Sequence, residues 1–213
     1  MAAARRADRG YRAGVSAPLS FAWLLVLFVT TRIQRSAGRR GARRLQRRHS
    51  TNLRQLDTEP QRVLVTSLFW LDERKWWPYV PVFVVFVAPA ERRLRWWRWL
   101  LVGLGAHVIA TYLSQTALRW SIRKGRAPRR LVNARDVGVS YFVFGVSGAL
   151  SGYLERRWRA RCQAAALAVV AGNAVVRPTF TELGHLAAFV VGLAAVPLAP
   201  DRDELTYPPI RLG

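Results

Sequence analysis

The chain has 213 residues, 51% of them hydrophobic, and a formal net charge of +22. This combination argues against a disordered basic tail, which lacks the apolar half, and against a soluble nucleic-acid binder, which rarely carries nine Trp and several long apolar runs. Mean hydropathy is only +0.05 because Arg-rich segments alternate with uncharged ones, the segregated pattern of a membrane protein.

In chain order, residues 1–16 read as a basic tail carrying Arg5, Arg6, Arg9 and Arg12. Six apolar stretches follow, at 17–31, 76–90, 99–118, 137–154, 162–176 and 179–200, and residues 201–213 form a C-terminal tail. A helix needs about 20 residues to cross about 30 Å of hydrocarbon. The third, fourth and sixth stretches reach or approach that length; the others need their flanks, tilt or a thinner bilayer. The expected fold is therefore all-α, a polytopic membrane protein of six transmembrane helices. Five spans remain if 76–90 fails, since Pro78, Pro81 and Pro89 weaken it. The first stretch follows a basic run as a signal peptide does, but no small-x-small cleavage site comes after it, which favours an uncleaved span.

Residues 32–59 form a polar, Arg-rich loop, including Arg39-Arg40 and Arg47-Arg48, expected to be solvated or to lie on anionic headgroups. No aromatic residue is interleaved there to stack on bases, so no nucleic-acid partner is expected. The lone Cys162 excludes an internal disulfide framework and a Cys-based zinc site, three His leave little for a metal cage, and no nucleotide-binding glycine loop is present. No metal and no cofactor are expected. Orientation is contested: with a cytoplasmic N-terminus, six spans put 14 Lys and Arg inside and 20 outside, opposite to the positive-inside rule.

Polar residues at membrane depth are costly and often functional. The fourth stretch carries Gly138, Gly145, Gly148 and Gly152, and the sixth carries Gly184, Ala188 and Gly192. These small-residue stripes allow close helix approach, and the two helices are expected to pack on each other. His185 lies about six residues inside the sixth stretch and Ser140 about four inside the fourth. The two helices run in the same direction, so the side chains differ in depth by roughly 3 Å. An imidazole at that level can activate the serine hydroxyl. Equally, the Ser can bond its own helix carbonyl and the His a neighbouring helix. Thr179-x-x-Glu182 reads as a capping box in preference to a carboxylate that orients His185. Asp136 reads as a favourable charge at a helix N-terminus.

These residues resemble the rhomboid superfamily of six-span intramembrane serine proteases, and in particular its divergent bacterial rhomboid-like members. Gly138-Val139-Ser140-Tyr141 followed by residues 142–150 matches the family's active-site helix without gaps, and Gly184-His185-Leu186 with Gly192 matches its last helix. The likeness covers about residues 17–200, strongly only in the fourth and sixth stretches. It implies Ser140 as nucleophile and His185 as base, acting on a membrane-embedded helix in a bacterial plasma membrane. Two departures stand against that chemistry. Tyr141 replaces the second Gly of the family's GxSG, and the second stretch offers no HxxxN to stabilise an oxyanion. His107 and Thr111, at i, i+4 on the third stretch, are candidate replacements beside Gly138, or simply interhelical hydrogen-bonding residues. Two function classes follow: a Ser–His endopeptidase, or an inactive rhomboid-like protein that binds transmembrane clients. A transporter would need intramembrane charges that the chain lacks. The oligomeric state is unspecified by the sequence.

Overall fold

The computed structural model describes residues 17–72, 75–200 and 210; the two tails lie outside the described residues apart from Ile210. Every regular element among the described residues is helical. Helix α1 (Pro18–Ser36) opens on a proline whose fixed φ and missing N–H suit the first helical position. Its first turn is completed from outside: the buried Glu91 carboxylate accepts from the Leu19 and Ser20 amides at 3.1 and 2.7 Å and from Ser20 Oγ at 2.6 Å. At the far end Gly38 takes φ +65°, a left-handed turn that glycine adopts without a Cβ penalty, and a second helix begins there.

That helix, α2 (Gly38–His49), and the short α3 (Leu53–Thr58) occupy most of the segment expected as a loop at 32–59. The physical reason is local. Arg, Ala, Leu and Gln are good helix formers, no proline interrupts them, and the face opposite the arginines finds partners. Gln46 donates to the carbonyls of Leu71 and Asp72, and the His49 ring stacks on Trp70 at 4.6 Å. Asn52 caps α3, accepting from the Gln55 amide at 3.0 Å. Helix α4 (Pro60–Thr66) follows.

The second apolar stretch is also helical, but shifted. It runs as α5 (Tyr79–Val82), a π-helical segment (Phe83–Val87) and α6 (Ala88–Leu94). Pro78 is the N-cap and Pro81 lies in the first turn, where no N–H is needed. Pro89 offers no N–H to the carbonyl four residues back. The wider register spans that defect, with the Ala88 amide reaching Phe83 O.

Helix α7 (Trp96–Arg123) has 28 residues, is about 42 Å long, and is the one helix among the described residues long and apolar enough to cross a membrane by itself. Helix α8 (Gly138–Leu150) is shorter and almost wholly buried. Helix α9 (Arg156–Val176) buries no residue, and α10 (Phe180–Ala194) packs on α7 and α8. All six apolar stretches thus form helices, but a count of six spans exceeds what helix length and composition establish.

The core is aromatic. Trp23 meets Phe83, Trp99 and Phe142 edge-on at 5.1, 6.2 and 4.7 Å, joining α1, the π segment, α7 and α8. The outer surface is apolar too: Phe21, Leu25, Phe28 and Ile33 on α1, Val84–Phe86 on the π segment, Leu101, Ile109 and Leu113 on α7, and Val190 on α10 are exposed. An apolar outer surface of this kind suits hydrocarbon better than water.

Candidate active site

Glycine decides how closely α8 and α10 approach. A Cβ on Gly192 would lie 2.0 Å from the Gly145 carbonyl oxygen, and one on Gly148 would lie 2.7 Å from the Phe189 carbonyl oxygen. Gly145 also faces Ala106 of α7. With these backbones in contact, side chains near the start of both helices meet.

Ser140 Oγ lies 3.0 Å from His185 Nε2. No hydrogen bond joins His185 to Ser147 among the described residues, although Gly145-Val146-Ser147-Gly148 is the literal GxSG string. Seven residues place Ser147 on nearly the same helix face, about 10 Å further along the axis. The other ring nitrogen, His185 Nδ1, is 3.2 Å from Glu182 Oε2, and Asn173 Nδ2 of α9 donates to that same oxygen at 2.6 Å. A carboxylate oxygen only accepts, so it fixes the proton on Nδ1 and leaves the Nε2 lone pair toward the Ser140 hydroxyl. Phe144, one turn after Ser140, stacks on the imidazole at 4.6 Å and 26°. The imidazole is thus held by a carboxylate at one nitrogen, a hydroxyl at the other and an aromatic face. His185 and Glu182 keep 16% and 19% of their side-chain surface exposed, enough for water to reach them.

Glu182 does more than a capping box requires. The Thr179 hydroxyl accepts from the Glu182 amide at 3.2 Å, as a cap should. The return bond is absent, because the Thr179 amide goes to Arg177 O and the carboxylate turns to His185 and Asn173. Three residues of spacing put Glu182 and His185 on one helix face, a signal that the sequence carried. Phe144, at i+4 from Ser140, was equally legible. Asn173 was not, because nothing in its helix marks the residue that reaches α10.

Compared with protein families, residues 14–205 match the family described as rhomboid-like protein. The chain belongs to the rhomboid-like family. It is accordingly a membrane protein. Neither the curated proteins nor the solved structures include a match.

In this rhomboid-like protein His107 and Thr111 are not brought to the serine. His107 Nε2 is 3.0 Å from Leu64 O and 3.4 Å from Ser67 Oγ, and its Nδ1 is 3.4 Å from Thr111 Oγ1. The ring fills the space that a Cβ on Gly138 would take, at 2.3 Å. Gly138 and Ser140 are about 200° apart around α8, so this cluster lies on the far side from His185. The Gly138 amide is also committed, donating to Ser67 O at 3.1 Å. All three residues tie α7, α8 and the end of α4 together.

Tyr141, the other departure from the family pattern, is absorbed by the last helix. Its hydroxyl occupies the place of a Gly184 Cβ, 2.3 Å from that position. It donates to Asp136 Oδ2 at 2.7 Å, with Ser114 Oγ at 3.4 Å and Gln115 Nε2 reaching the same carboxylate oxygen at 3.4 Å. Asp136 therefore anchors a buried polar network as well as standing near a helix N-terminus. Arg135 turns the other way, to Asp72 at 3.2 Å and Gln46 Oε1 at 2.5 Å. Replacing Tyr141 with Phe keeps the ring and leaves the Asp136 carboxylate without its shortest donor. The expected cost is about 1–3 kcal/mol, read as a lower thermal midpoint in detergent. The Ser140–His185 contact should survive in the fraction that stays folded.

Proposed function

We propose that this rhomboid-like protein is a multi-pass serine endopeptidase of the cell membrane, cleaving transmembrane helices of other proteins. The observation that carries the reading is the 3.0 Å approach of Ser140 Oγ to His185 Nε2, with Glu182 on the opposite ring nitrogen. In the reaction Ser140 Oγ attacks the scissile carbonyl carbon while its proton passes to His185 Nε2. The imidazolium, steadied by Glu182, then gives that proton to the departing amine. Water attacks the acyl carbon, losing a proton to His185 Nε2, which returns it to Ser140 Oγ as the ester bond breaks and the new carboxyl terminus leaves.

The oxyanion needs donors, and the residues expected from the sequence are occupied elsewhere. The start of α8 supplies alternatives. The amides of Val139 and Ser140 precede the first intrahelical bond and make no hydrogen bond among the described residues, and a helix N-terminus favours negative charge. A 13-residue α8 is only about 20 Å long. Beyond its start lie the buried polar residues Thr51 and Asp136, joined by the Thr51 amide on Asp136 O, and the partly exposed His185 and Glu182 support entry of water. In this reading all six apolar helices cross, the shorter ones beside a locally thinned bilayer.

The test is purified protein in lipid, offered a synthetic transmembrane helix and, separately, a fluorophosphonate. Cleavage of the helix together with labelling of Ser140 is the expected result. Folded protein that retains the helix but neither cleaves it nor takes the label is a client binder instead.

Glu182→Gln supplies a finer check. The Thr179 cap uses only the Glu182 backbone amide, so helix content should not change. Labelling should slow by roughly 10- to 100-fold, less than for a fully buried triad carboxylate because Glu182 is partly exposed. The pH at which labelling is half-maximal should move as well, which loss of a purely structural contact would not cause.

A further inference from the structure

The arginines of α2 take no part in the chemistry above, and nothing within the described residues neutralises them. Arg39, Arg40, Arg43, Arg44, Arg47 and Arg48 recur as adjacent pairs every four residues and are all exposed. At 100° per residue the six cover about half of the helix circumference. The other half faces protein through Ala42, Leu45, Gln46 and His49. Helix α2 cannot roll, because Gln46 is bonded to Leu71 O, Asp72 O and Arg135 and His49 lies flat on Trp70. The array is therefore fixed, and it points away from the bundle.

The described residues supply it with no counter-charge. No acidic residue occurs from 17 to 56, and the nearest ones among the described residues are taken: Asp57 by Arg119, Glu59 by Arg62, Asp72 by Arg135. None of the six arginines has an ion-pair partner among the described residues. Burial, and then the guanidiniums of Arg62 and Arg48, hold the His49 imidazole below its ordinary range. Placement selects the partner. Helix α1 presents Phe28 and Ile33 outward up to the turn at Gly38, so α2 emerges where an apolar, lipid-facing helix ends.

We propose that the arginine face of α2 binds anionic phospholipid, with headgroup phosphates on the arginines and acyl chains along α1. The face lies on the same side of the bundle as Ser140, since α2 is joined to the start of α8 through the Gln46–Arg135 bond and the Thr51 amide on Asp136 O at 3.0 Å. An arginine adjoining an anionic surface strengthens association by about fivefold, so removing four should cost well over tenfold. The proposal stands whether or not Ser140 is catalytic.

Native mass spectrometry of the detergent-purified full chain, titrated with phosphatidylglycerol or phosphatidylcholine, tests it. Wild type should retain phosphatidylglycerol selectively. Arg43→Gln/Arg44→Gln/Arg47→Gln/Arg48→Gln should lose at least tenfold of that retention, while Arg156→Gln/Arg157→Gln/Arg161→Gln on α9 keeps it. Circular dichroism checks that both variants remain helical, and Arg→Lys at the same four α2 positions, which keeps the charge, should restore most of the retention. Retention unchanged in the α2 variant overturns the proposal. So does displacement of the lipid by inorganic phosphate at matched concentration, which would mean that the phosphate alone is bound. Binding of a DNA duplex that competes with the lipid at equal affinity would likewise overturn it.

Discussion

Fluorophosphonate labelling should disappear in Ser140→Ala and fall by at least about 10³-fold in His185→Ala, whereas Ser147→Ala should label like wild type. The magnitude follows from the chemistry. A serine hydroxyl is a weak nucleophile until a base takes its proton, and removing either member of such a pair costs nearly as much as removing both. His185 Nε2 is within hydrogen-bond reach of Ser140 Oγ, and Ser147 lies about 10 Å further along the same helix. The measurement is in-gel fluorescence of the labelled protein, with the modified peptide located by mass spectrometry. Labelling that persists in Ser140→Ala and vanishes in Ser147→Ala would reverse the assignment. Labelling absent from wild-type protein of native helix content would turn the reading toward client binding.

The second large effect is at Gly192. Its substituted Cβ would stand 2.0 Å from the Gly145 carbonyl oxygen, 2.9 Å from the Gly145 carbonyl carbon and 3.0 Å from the Gly148 Cα. All three are backbone atoms in a helix, and none can turn aside as a side chain could. Gly192→Ala therefore forces α8 and α10 apart. Overpacking of this kind costs about 1–3 kcal/mol, and a shift of about 1 Å between catalytic groups can cost about 10²-fold in rate. Thermal unfolding and labelling should both suffer. Gly105→Ala and Gly172→Ala are the controls: nothing lies within 4 Å of either added Cβ, and the gain in helix propensity makes them neutral or slightly stabilising. If Gly192→Ala behaved like the controls, the close approach of the two helices would be wrong.

Apolar runs fenced by arginines were sufficient to read an all-helical membrane protein, because charge cannot be left in hydrocarbon and the pattern records where it is absent. Small residues at helical spacing on 138–152 and 184–192 likewise carried the packing of α8 on α10, since no other residue leaves room for touching backbones. Depth arithmetic along two parallel helices could rank Ser140 above Ser147. Length was less informative. Helix α8 is too short to cross by itself, and only its burial between α7 and α10 explains that.

Tertiary structure decided the rest, wherever a side chain had several physically reasonable partners. Glu182 could cap its helix or turn to His185; the backbone amide satisfies the cap, which leaves the carboxylate for the imidazole and for Asn173 from another helix. His107 and Thr111 have a spacing suited to joint action, but the space beside Gly138 draws His107 to the far flank of α8. Tyr141 reads as bulk beside the nucleophile until Gly184 is found opposite its hydroxyl. Residues 32–59 read as a polar loop, solvated or lying on anionic headgroups, because arginines dominate the composition. Residues 38–49 within it are a helix because Gln46 and His49 find Leu71, Asp72 and Trp70 across a turn that no local pattern encodes. Periodicity and charge are properties of one segment and survive in the sequence; the choice among competing partners belongs to contacts between segments and is made only when they meet.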